Sequence, residues 1–491
     1  MDIVLFNPAP RSGKQVQRRV ELPLSLLCPA TPLDRQGYRI KIIDEFADPN
    51  WKRELLDTLT EKPLCFGVTC MTGPQILHAL AACRLVRKIY LDVPIVWGGI
   101  HASLLPEQTL ENPYIDIIVV GEGEETFPEL VKALESGRPL SDVSGICYKE
   151  NGKVLYTGNR PFVNLDEQSP LSYHLINIDH YRRRLFGNDH ISLNSSRGCT
   201  FGCAFCWEPV FHKRKWRAMK SETVLDRIKH IIRDYNIRGF LFTDDNFFID
   251  MNRAYDILSG IARAGLNITI GKLQIRADEI CRMDRDFLEL LVNAGVKRIH
   301  VGVESGSQRI LDLIKKCETV GKVIEANRKL TPFPIVPLYL FMMGLPTETP
   351  DELAQSIRLA VQLTDENPRA VKTFNIYTPY PGTELFNFTV QLGLKEPQCL
   401  EDWACFNFRN IPKESEWIEP EMRKLIMGLD FPLMFLGKGH FVTPYKKTSP
   451  FVVALSRLYY PIARYRIRKL DARFPVETKL VKALGLFGRQ E

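Results

Sequence analysis

The chain has 491 residues, 45% of them hydrophobic and 25% charged, with a formal net charge of +7. These values exclude a disordered or fibrous protein, and the length allows two or three hydrophobic cores. The first residues lack the apolar run and cleavage site of a secretory signal, and no run is as long as a membrane-spanning helix. We therefore expect a cytoplasmic protein.

Residues 1–145 alternate short apolar runs with helical stretches, which predicts an α/β domain with a doubly wound, Rossmann-like parallel sheet. The predicted strands are Ile3–Phe6, Arg39–Ile43, Leu64–Val68, Ile95–Trp97 and Ile115–Val120. Each run ends in turn or capping residues, and ligands of such sheets bind at the carboxyl ends of the strands. Residues 146–190 have little pattern and are predicted to form a linker.

Residues 191–395 contain a second series of strands and helices. Its predicted strands are Ile191–Asn194, Gly239–Thr243, Ile268–Gln274, Arg298–Gly302, Leu338–Met343 and Val371–Ile376. Six such units predict a partial (β/α)6 barrel, with its active site in the loops that follow the strands. Residues 396–491 lack this alternation of strands and helices and are predicted to form a helical C-terminal region.

Three of the twelve cysteines lie together, directly after the first predicted barrel strand. Cys199, Cys203 and Cys206 have the spacing C-x3-C-x2-C. Three thiolates on one loop suit a four-iron, four-sulfur cluster with one iron open to an outside ligand. A zinc site is the alternative, for which His212 is a conceivable fourth ligand.

The cysteine triplet, with Phe205 before its last cysteine, resembles the signature of the radical S-adenosylmethionine superfamily. The resemblance implies that the amine and carboxylate of S-adenosylmethionine chelate the open iron. It also implies an electron donor, such as flavodoxin or ferredoxin, whose electron cleaves the cofactor to a 5'-deoxyadenosyl radical. Such a cluster is oxygen-sensitive, so we expect an anaerobic activity.

Loops after the later barrel strands resemble further cofactor-binding segments of this superfamily. Asp244 and Asp245 are similar to the acidic segment that holds the methionyl amine. Arg276 and Glu304 stand where similar enzymes bind the carboxylate and the ribose of the cofactor. The loops that begin at Gly344 and Pro379 resemble the glycine and proline loops near adenine.

The first domain resembles the cobalamin-binding domain that precedes the barrel in one large branch of the superfamily. Three glycine-containing loops carry this resemblance. The residues that it places at cobalamin are Thr69, Cys70, Met71, Thr72, Gly98, Gly99, His101, Ser103, Gly121, Glu122 and Gly123. Glycines allow the backbone to approach a large ring, and hydroxyls and amides bond its polar groups. A Rossmann-like domain without a cofactor is the alternative.

The sequence differs from that of the cobalamin mutases in the segment that would ligate the lower face of cobalt. The D-x-H-x-x-G segment, by which cobalamin mutases place a histidine under the metal, is absent. His101 lies in a glycine loop, where a histidine is more often a hydrogen-bonding residue. We therefore expect the lower face of cobalt to be without a histidine ligand.

The C-terminal tail is basic. From Pro444 to Glu491 there are 11 Lys and Arg against 3 Asp and Glu, which leaves a net charge of −1 for all other residues. Within it, residues 449–473 interleave aromatic and basic side chains, and Pro461 is expected to divide this stretch into two helical pieces. The stretch fits the surface of an anionic membrane. A helix packed on the barrel is the alternative, and a nucleic-acid surface is disfavoured because no RNA-binding module accompanies it.

Most proteins that combine these two domains are methyltransferases acting on unactivated carbon or phosphorus. The resemblance thus implies that one S-adenosylmethionine methylates cob(I)alamin while another supplies the radical that abstracts hydrogen from a small or lipid-like substrate. The substrate radical then takes the methyl group from methylcobalamin. One alternative is a cobalamin-dependent radical reaction without methylation, as in the anaerobic magnesium-protoporphyrin ester cyclase, which is similar in domain order. Another is a noncatalytic cobalamin carrier or sensor.

Overall fold

The N-terminal part of the chain forms a seven-stranded sheet. The structure is a computed structural model that describes residues 1–10, 21–406, 415–433, 435 and 450–473. The strands are β1 (Ile3–Asn7), β2 (Ile40–Asp44), β3 (Cys65–Thr69), β4 (Ile95–Gly98), β5 (Ile117–Val119), β6 (Ile146–Glu150) and β7 (Lys153–Tyr156). Across the sheet they lie in the order β2-β1-β3-β4-β5-β6-β7, and the first five are parallel. The helices of this part are α1 (Leu24–Arg35), α2 (Trp51–Thr58), α3 (Gln75–Ile89), α4 (Ile100–Leu104), α5 (Pro106–Glu111) and α6 (Gly123–Ser136).

The strand order fixes where this sheet can bind a ligand. The order reverses between β1 and β3, and ligands of such sheets bind at the carboxyl ends of the strands near this point. Ile3, Val4 and Phe6 of β1 are fully buried, as expected for a parallel strand covered on both faces. The predicted doubly wound sheet is confirmed.

The stretch predicted to be a linker contributes strands of its own. β6 and β7 form a hairpin that extends the sheet antiparallel to β5. Only Ile146, Cys147 and Tyr148 of this hairpin are buried, so the sequence pattern was too short to indicate it. Further along, the Tyr181 hydroxyl donates to the Asp44 carboxylate at 2.9 Å and fastens this stretch to the end of β2.

The central part of the chain forms the predicted partial barrel. Its strands are β8 (Arg183–Leu185), β9 (Asn188–Leu193), β10 (Ser196–Arg197), β11 (Arg217–Ala218), β12 (Gly239–Phe242), β13 (Thr269–Lys272), β14 (Gln274–Ile275), β15 (Arg298–Glu304), β16 (Val336–Met343) and β17 (Val371–Ile376). Two sheets, in the orders β13-β12-β9-β8 and β14-β15-β16-β17, adjoin through a parallel bridge between Ile270 and Val296. β8 is antiparallel to β9, whereas the neighbouring strands from β9 to β17 within each sheet are parallel.

Helices follow the barrel strands. They are α7 (Glu208–Phe211), α8 (Ser221–Tyr235), α9 (Met251–Arg263), α10 (Ala277–Arg282), α11 (Arg285–Asn293), α12 (Gln308–Leu313), α13 (Val320–Leu330), α14 (Pro350–Glu366) and α15 (Glu384–Gln391). The six predicted strand-and-helix units are therefore present, with the third strand divided into β13 and β14.

Strand β15 shows which side of the barrel wall faces inward. Ile299, Val301 and Val303 are fully buried, whereas His300 and Gly302 between them are partly exposed. Because successive side chains of a strand point to opposite faces, His300 and Gly302 face the interior of the barrel.

The C-terminal region is helical, as predicted. It contains a 3-10 helix (Leu400–Cys405), α16 (Pro420–Leu433) and α17 (Pro450–Lys469). α17 continues through Pro461, so the expected division at this residue is wrong. Among the described residues, no helix is both long and apolar enough to cross a membrane.

Candidate active site

The three clustered cysteines lie on a loop whose two ends are paired. β10 and β11 are antiparallel, with Arg197 opposite Arg217, so residues 198–216 form a closed loop. Gly198 begins it with φ +81°, and a Cβ at this position would lie 2.2 Å from the carbonyl oxygen of Lys215. Only glycine fits here, because both its backbone conformation and the approach of the returning chain exclude a side chain.

Backbone hydrogen bonds hold the middle of this loop against two other barrel loops. The Ala204 N–H donates to the Ile314 carbonyl, and the Leu385 N–H donates to the Ala204 carbonyl, both at 2.9 Å. Leu385 belongs to the segment that follows β17, where the predicted proline loop lies. The cysteine loop is therefore fixed from both sides of the barrel opening.

The three thiols fit a cluster better than a single metal ion. All three are free and partly exposed, and burial raises their pKa values, that of Cys199 to about 11. Metal binding would therefore release their protons. Within the described part of the chain, no three His, Cys, Asp or Glu side chains are arranged to hold a metal ion. In a cubane cluster each thiolate instead binds its own iron.

His212, the candidate fourth ligand of the zinc alternative, is occupied by protein partners. Its Nδ1 lies 3.1 Å from Nη2 of Arg217, and its Nε2 lies 3.6 Å from the Glu208 carboxylate. Burial, together with the positive charge of Arg217, lowers the pKa of His212 to about 4. The structure therefore gives the zinc alternative no support.

The two predicted acidic residues have different partners. Asp244 is fully buried and accepts hydrogen bonds from the Ser195 N–H and hydroxyl at 2.8 and 2.6 Å, and from the Ser196 hydroxyl at 2.5 Å. Asp245 accepts one bond, from the Gly198 N–H at 3.1 Å. Asp244 therefore fixes the chain that leads into the cysteine loop, whereas Asp245 keeps acceptor capacity for a ligand.

Glu208 is a neighbour of Asp245 that the sequence analysis did not identify. Both of its carboxyl oxygens are buried, and its carboxyl group is a hydrogen-bonding neighbour of that of Asp245. Burial raises the pKa of Glu208, and the negative charge of Asp245 raises it further. Two adjacent carboxyl groups without a cation, beside three thiols, fit the amine of S-adenosylmethionine. The only signal in the sequence was the position of Glu208, two residues after Cys206.

Arg276 lies near the cysteine loop but is held by protein groups. Its guanidinium is 3.9 Å from the centre of the Phe201 ring, and its Nε donates to Asp278 at 3.0 Å. Its Nη2 donates to the carbonyls of Lys316 and Cys317 at 2.9 and 3.0 Å. Among the described residues only Nη1 is without a partner, so the predicted carboxylate contact could use that nitrogen alone.

Glu304 forms an ion pair that the sequence analysis also missed. Its Oε1 accepts from Nζ of Lys316 at 3.0 Å, and both side chains are largely buried. A Cβ on Gly302 would lie 2.5 Å from this carboxylate and 2.8 Å from the ammonium, so glycine makes room for the pair. Lys316 therefore orients Glu304, whose second oxygen has no hydrogen-bond partner in the described residues.

The loop that begins at Gly344 is closed by a buried glutamate. The N–H groups of Gly344 and Leu345 donate to Oε2 of Glu348 at 2.8 and 3.3 Å. Trp417 of the C-terminal region donates its indole N–H to the Gly344 carbonyl at 3.0 Å. The C-terminal region therefore covers this side of the barrel opening.

Phe205 is partly buried against the main hydrophobic core.

The three predicted cobalamin loops meet at the carboxyl edge of the first sheet. Gly99 has φ +87°, and a Cβ there would lie 2.8 Å from both the Thr69 hydroxyl and the Cys70 carbonyl, so the loops after β3 and β4 are in contact. The Ser103 hydroxyl donates to the Gly99 carbonyl at 2.8 Å and accepts from the Gly121 N–H at 3.0 Å. A hydrogen-bonded chain thus joins the second and third loops.

His101 is a hydrogen-bonding residue, as the sequence indicated. Its Nδ1 lies 3.0 Å from the Thr72 hydroxyl, and its ring packs edge-on against Trp403 of the C-terminal region. The side chain is fully buried, and burial lowers its pKa to about 4. Its Nε2 is buried and has no hydrogen-bond partner among the described residues, so a contact of this nitrogen with cobalamin stays a prediction.

Glu122 has protein partners for both carboxylate oxygens. Oε1 accepts from Arg197 and Arg217, each at 2.9 Å. Oε2 accepts from Arg217 at 2.8 Å and from the Val163 N–H at 3.0 Å. These four bonds leave neither oxygen for cobalamin, so the predicted side-chain contact is replaced by a contact with the cysteine loop.

Comparison with known protein families identifies two regions of the chain. Residues 193–360 match the model of the Radical SAM superfamily, and residues 19–131 match that of the B12 binding domain.

Several known proteins are similar over most of the chain. An uncharacterized methyltransferase of Pyrococcus horikoshii is 32% identical over 398 residues, which cover 80% of this chain and 84% of the relative. The anaerobic magnesium-protoporphyrin IX monomethyl ester cyclase of Rubrivivax gelatinosus is 29% identical over 402 residues, covering 80% and 69%. The solved radical S-adenosylmethionine methyltransferase TsrM from Kitasatospora setae has a TM-score of 0.68 at 17% identity, covering 98% and 99%. This last likeness concerns the fold.

Proposed function

The chain belongs to the radical S-adenosylmethionine superfamily, in the branch that carries a cobalamin-binding domain, and we propose that it is a methyltransferase that moves a methyl group from cobalamin to an unactivated carbon. Its cofactors are a [4Fe-4S] cluster, S-adenosylmethionine and cobalamin. The observation that carries the proposal is the direct contact of Glu122, in the third cobalamin loop, with both ends of the cysteine loop. The methyltransferase among the relatives supports methyl transfer.

We assign the cofactor contacts as follows. Cys199, Cys203 and Cys206 hold the cluster, and Asp245 with Glu208 accepts hydrogen bonds from the N–H groups of the methionyl amine. The cluster supplies the electron that cleaves S-adenosylmethionine, and cobalamin supplies the methyl group. The chain itself binds and orients these groups and excludes water, which is the usual contribution of a protein to cofactor chemistry.

Glu304 is the proposed partner of the ribose. The Lys316 ammonium holds one of its oxygens, and the positive φ of +66° at Glu304 turns the side chain toward Gly302. A carboxylate fixed in this way can accept from ribose hydroxyls without losing further side-chain freedom.

The inner face of the barrel is the proposed substrate site. Gln274 lies beside His300 in the sheet register, and His300 lies beside Leu338. In the described part of the chain, the side chains of Gln274, His300 and nearby Lys272 form no hydrogen bond with one another or with other residues. On β16 the inward residues Leu340 and Met342 are apolar and partly exposed. These groups suit a substrate that has a polar group at one end and an apolar body.

Methyl transfer can be tested without knowing the substrate. Protein reconstituted anaerobically with cluster and cobalamin is reduced and given S-adenosylmethionine with a deuterated methyl group. We expect about one S-adenosylhomocysteine per bound cobalamin and the labelled methyl group on cobalamin, because the cofactor must be methylated before transfer. Mass spectrometry measures both products.

The same measurement addresses the other reaction class. A radical cyclase, to which the Rubrivivax gelatinosus relative points, should cleave S-adenosylmethionine to 5'-deoxyadenosine and release no S-adenosylhomocysteine. That result would contradict the methyltransferase proposal and favour the cyclase. A noncatalytic carrier is not retained, because the chain is a radical S-adenosylmethionine enzyme.

A second proposal concerns where the enzyme works, and it rests on helix α17. One face of α17 packs on the protein: Ala463 and Ile467 are buried, and Arg464 pairs with Asp365 at 3.2 Å. The opposite face exposes large apolar side chains at helical spacing, with exposures of 75% for Leu458, 55% for Ile462 and 61% for Tyr465. The exposed basic residues around this face are Arg457, Arg468 and Lys469. We infer that α17 lies on an anionic membrane surface.

Vesicle sedimentation tests this placement. We expect the protein to pellet with vesicles of phosphatidylglycerol and phosphatidylcholine but scarcely with phosphatidylcholine alone, because each engaged Lys or Arg contributes roughly 1 kcal/mol. Binding should weaken as salt rises. The double variant Leu458→Glu, Ile462→Glu should stay in solution, while the control Leu91→Glu, at an 83% exposed site of the first domain, should pellet like the wild type. Equal pelleting of the two variants would refute the proposal.

A further inference from the structure

One carboxylate of the first domain binds both ends of the cysteine loop. Arg197 stands at the start of the loop and Arg217 at its end, and the two are paired across β10 and β11. Glu122 accepts from both, while Arg197 also pairs with Glu124 at 2.6 Å. We call these four residues the domain clamp. It joins the loop after β5 to the base of the loop that carries Cys199.

The clamp is buried, and both oxygens of the Glu122 carboxylate at its centre accept hydrogen bonds. The side-chain exposure is 5% for Glu122 and Glu124 and 19% for Arg197 and Arg217. Burial alone would raise the pKa of Glu122, but Arg217 and Arg197 hold it below its ordinary value, so the carboxylate is charged. Burying a network of charges costs desolvation free energy. Removing one partner strongly destabilises the network, because it leaves another charge buried and unpaired.

Packing between the two domains is interrupted beside the clamp. A cavity of about 260 Å³ lies beside the clamp, and residues of both domains and of the connecting stretch line it, among them Cys28, Glu124, Tyr173, Asn194 and Arg197. Directional ion pairs therefore set the local position of one domain against the other.

The clamp is part of a continuous bonded path between the two cofactor sites. From the second cobalamin loop, the Gly99 carbonyl bonds the Ser103 hydroxyl, which bonds the Gly121 N–H. The next residue is Glu122, which binds Arg197, two residues before Cys199. Each step of the path is a hydrogen bond, an ion pair or at most two residues of backbone, so short links join the two cofactor sites.

We propose that Glu122 is a positioning residue that sets the distance and orientation between cobalamin and the iron-sulfur cluster. It does so by binding the two ends of the cysteine loop to the third cobalamin loop. The inference rests on the proposed function for the identity of the two cofactors. Methyl transfer to a substrate radical requires both at fixed places, because a displacement of about 1 Å can lower a rate roughly 100-fold.

The test compares Glu122→Gln with Glu125→Gln. Glu125 stands on helix α6, three residues after Glu122, but it is 52% exposed and among the described residues its ion pair is with Arg160, so it is a matched control. Both the reduced cluster and cob(II)alamin carry one unpaired electron, and their magnetic dipolar coupling in electron paramagnetic resonance reports the distance between them. We expect Glu122→Gln to change this coupling and Glu125→Gln to leave it as in the wild type.

Hydrogen exchange of the protein without cofactors provides an independent measurement. In Glu122→Gln, amides of residues 198–216 should exchange about tenfold faster, because local opening of the loop no longer breaks the ion pairs with Glu122 and only the pair between Arg197 and Glu124 remains. Amides of β15 to β17 should exchange as before. In turnover, Glu122→Gln should still cleave S-adenosylmethionine but should lose methyl transfer relative to that cleavage, a separation that a general loss of folding would not produce.

A second variant keeps the proposal testable if the first variant does not fold. If Glu122→Gln does not take up the cluster, Arg217→Gln replaces it, since this change keeps the pair between Glu122 and Arg197 and should give a smaller effect in the same direction. Unchanged dipolar coupling together with unchanged exchange in 198–216 would overturn the proposal. A wild-type protein that binds no cobalamin would instead contradict the proposed function, and the exchange result would still test the clamp.

Discussion

Replacing Cys203 by Ala is expected to leave a protein that holds no complete cluster and cleaves no S-adenosylmethionine. The thiol lies on the only loop with cluster spacing, and two thiolates cannot retain a cubane that needs an iron open to the cofactor. After anaerobic reconstitution, the iron and sulfide content of the variant should be lower than the content of about four of each per chain that we expect for the wild type. Its production of 5'-deoxyadenosine should become undetectable.

Cys281→Ala is the control for this change. Cys281 is also on the barrel and partly buried, but it lies outside the cysteine loop, and its thiol donates to the Lys322 carbonyl at 3.4 Å. This variant should load iron and cleave the cofactor like the wild type. If Cys203→Ala kept a full complement of iron and its visible absorption, the assignment of the cluster to this loop would be wrong.

Asp245→Asn should weaken the binding of S-adenosylmethionine without unfolding the protein. The amide can still accept from the Gly198 N–H, as Asp245 does, but it removes the charged acceptor that we assign to the N–H groups of the methionyl amine. A hydrogen bond to a charged group contributes about 1.5–3 kcal/mol, and its loss corresponds to a dissociation constant raised roughly 10-fold or more. Equilibrium binding to the reconstituted protein measures it.

Asp244→Asn, in contrast, is expected to lower the free energy of unfolding. Asp244 accepts from Ser195 and Ser196 in a fully buried place, so the amide there would face donors with a donor of its own. Such a conflict costs about 1–3 kcal/mol of unfolding free energy. Denaturant unfolding should therefore detect Asp244→Asn more strongly than Asp245→Asn. Equal affinities of Asp245→Asn and the wild type for S-adenosylmethionine would contradict the assignment.

The sequence predicted the main strands because each is a buried apolar run that ends in turn residues. β1 was expected at Ile3–Phe6 and extends from Ile3 to Asn7, and β15 was expected at Arg298–Gly302 and extends from Arg298 to Glu304. The hairpin of β6 and β7 was missed because all four residues of β7 are exposed. A strand that buries neither face has no pattern of apolar residues by which to recognise it.

The site was predictable where the chemistry is local. The cysteine triplet is contained in one loop, so its spacing, together with the matching loops after the later barrel strands, indicated a cluster. The distinction between Asp244 and Asp245 was not available, since neighbouring residues of an extended segment point in opposite directions and only the fold decides which one meets Ser195. Glu122 and Arg197 are 75 positions apart. No local pattern connects them, because their contact depends on how two domains pack.

The contact between Trp403 and the first domain also determines the order of events during synthesis. The Trp403 indole donates to Gln108, 295 positions earlier in the chain. At a translation rate of about 5–20 residues per second, roughly 15–60 s separate the two residues on the ribosome. From the synthesis of Tyr156, the last residue of β7, until that of Trp403, the first domain has all strands of its sheet but lacks the segment that covers His101. The loops after β3 and β4 are therefore accessible on the nascent chain before the C-terminal region encloses them.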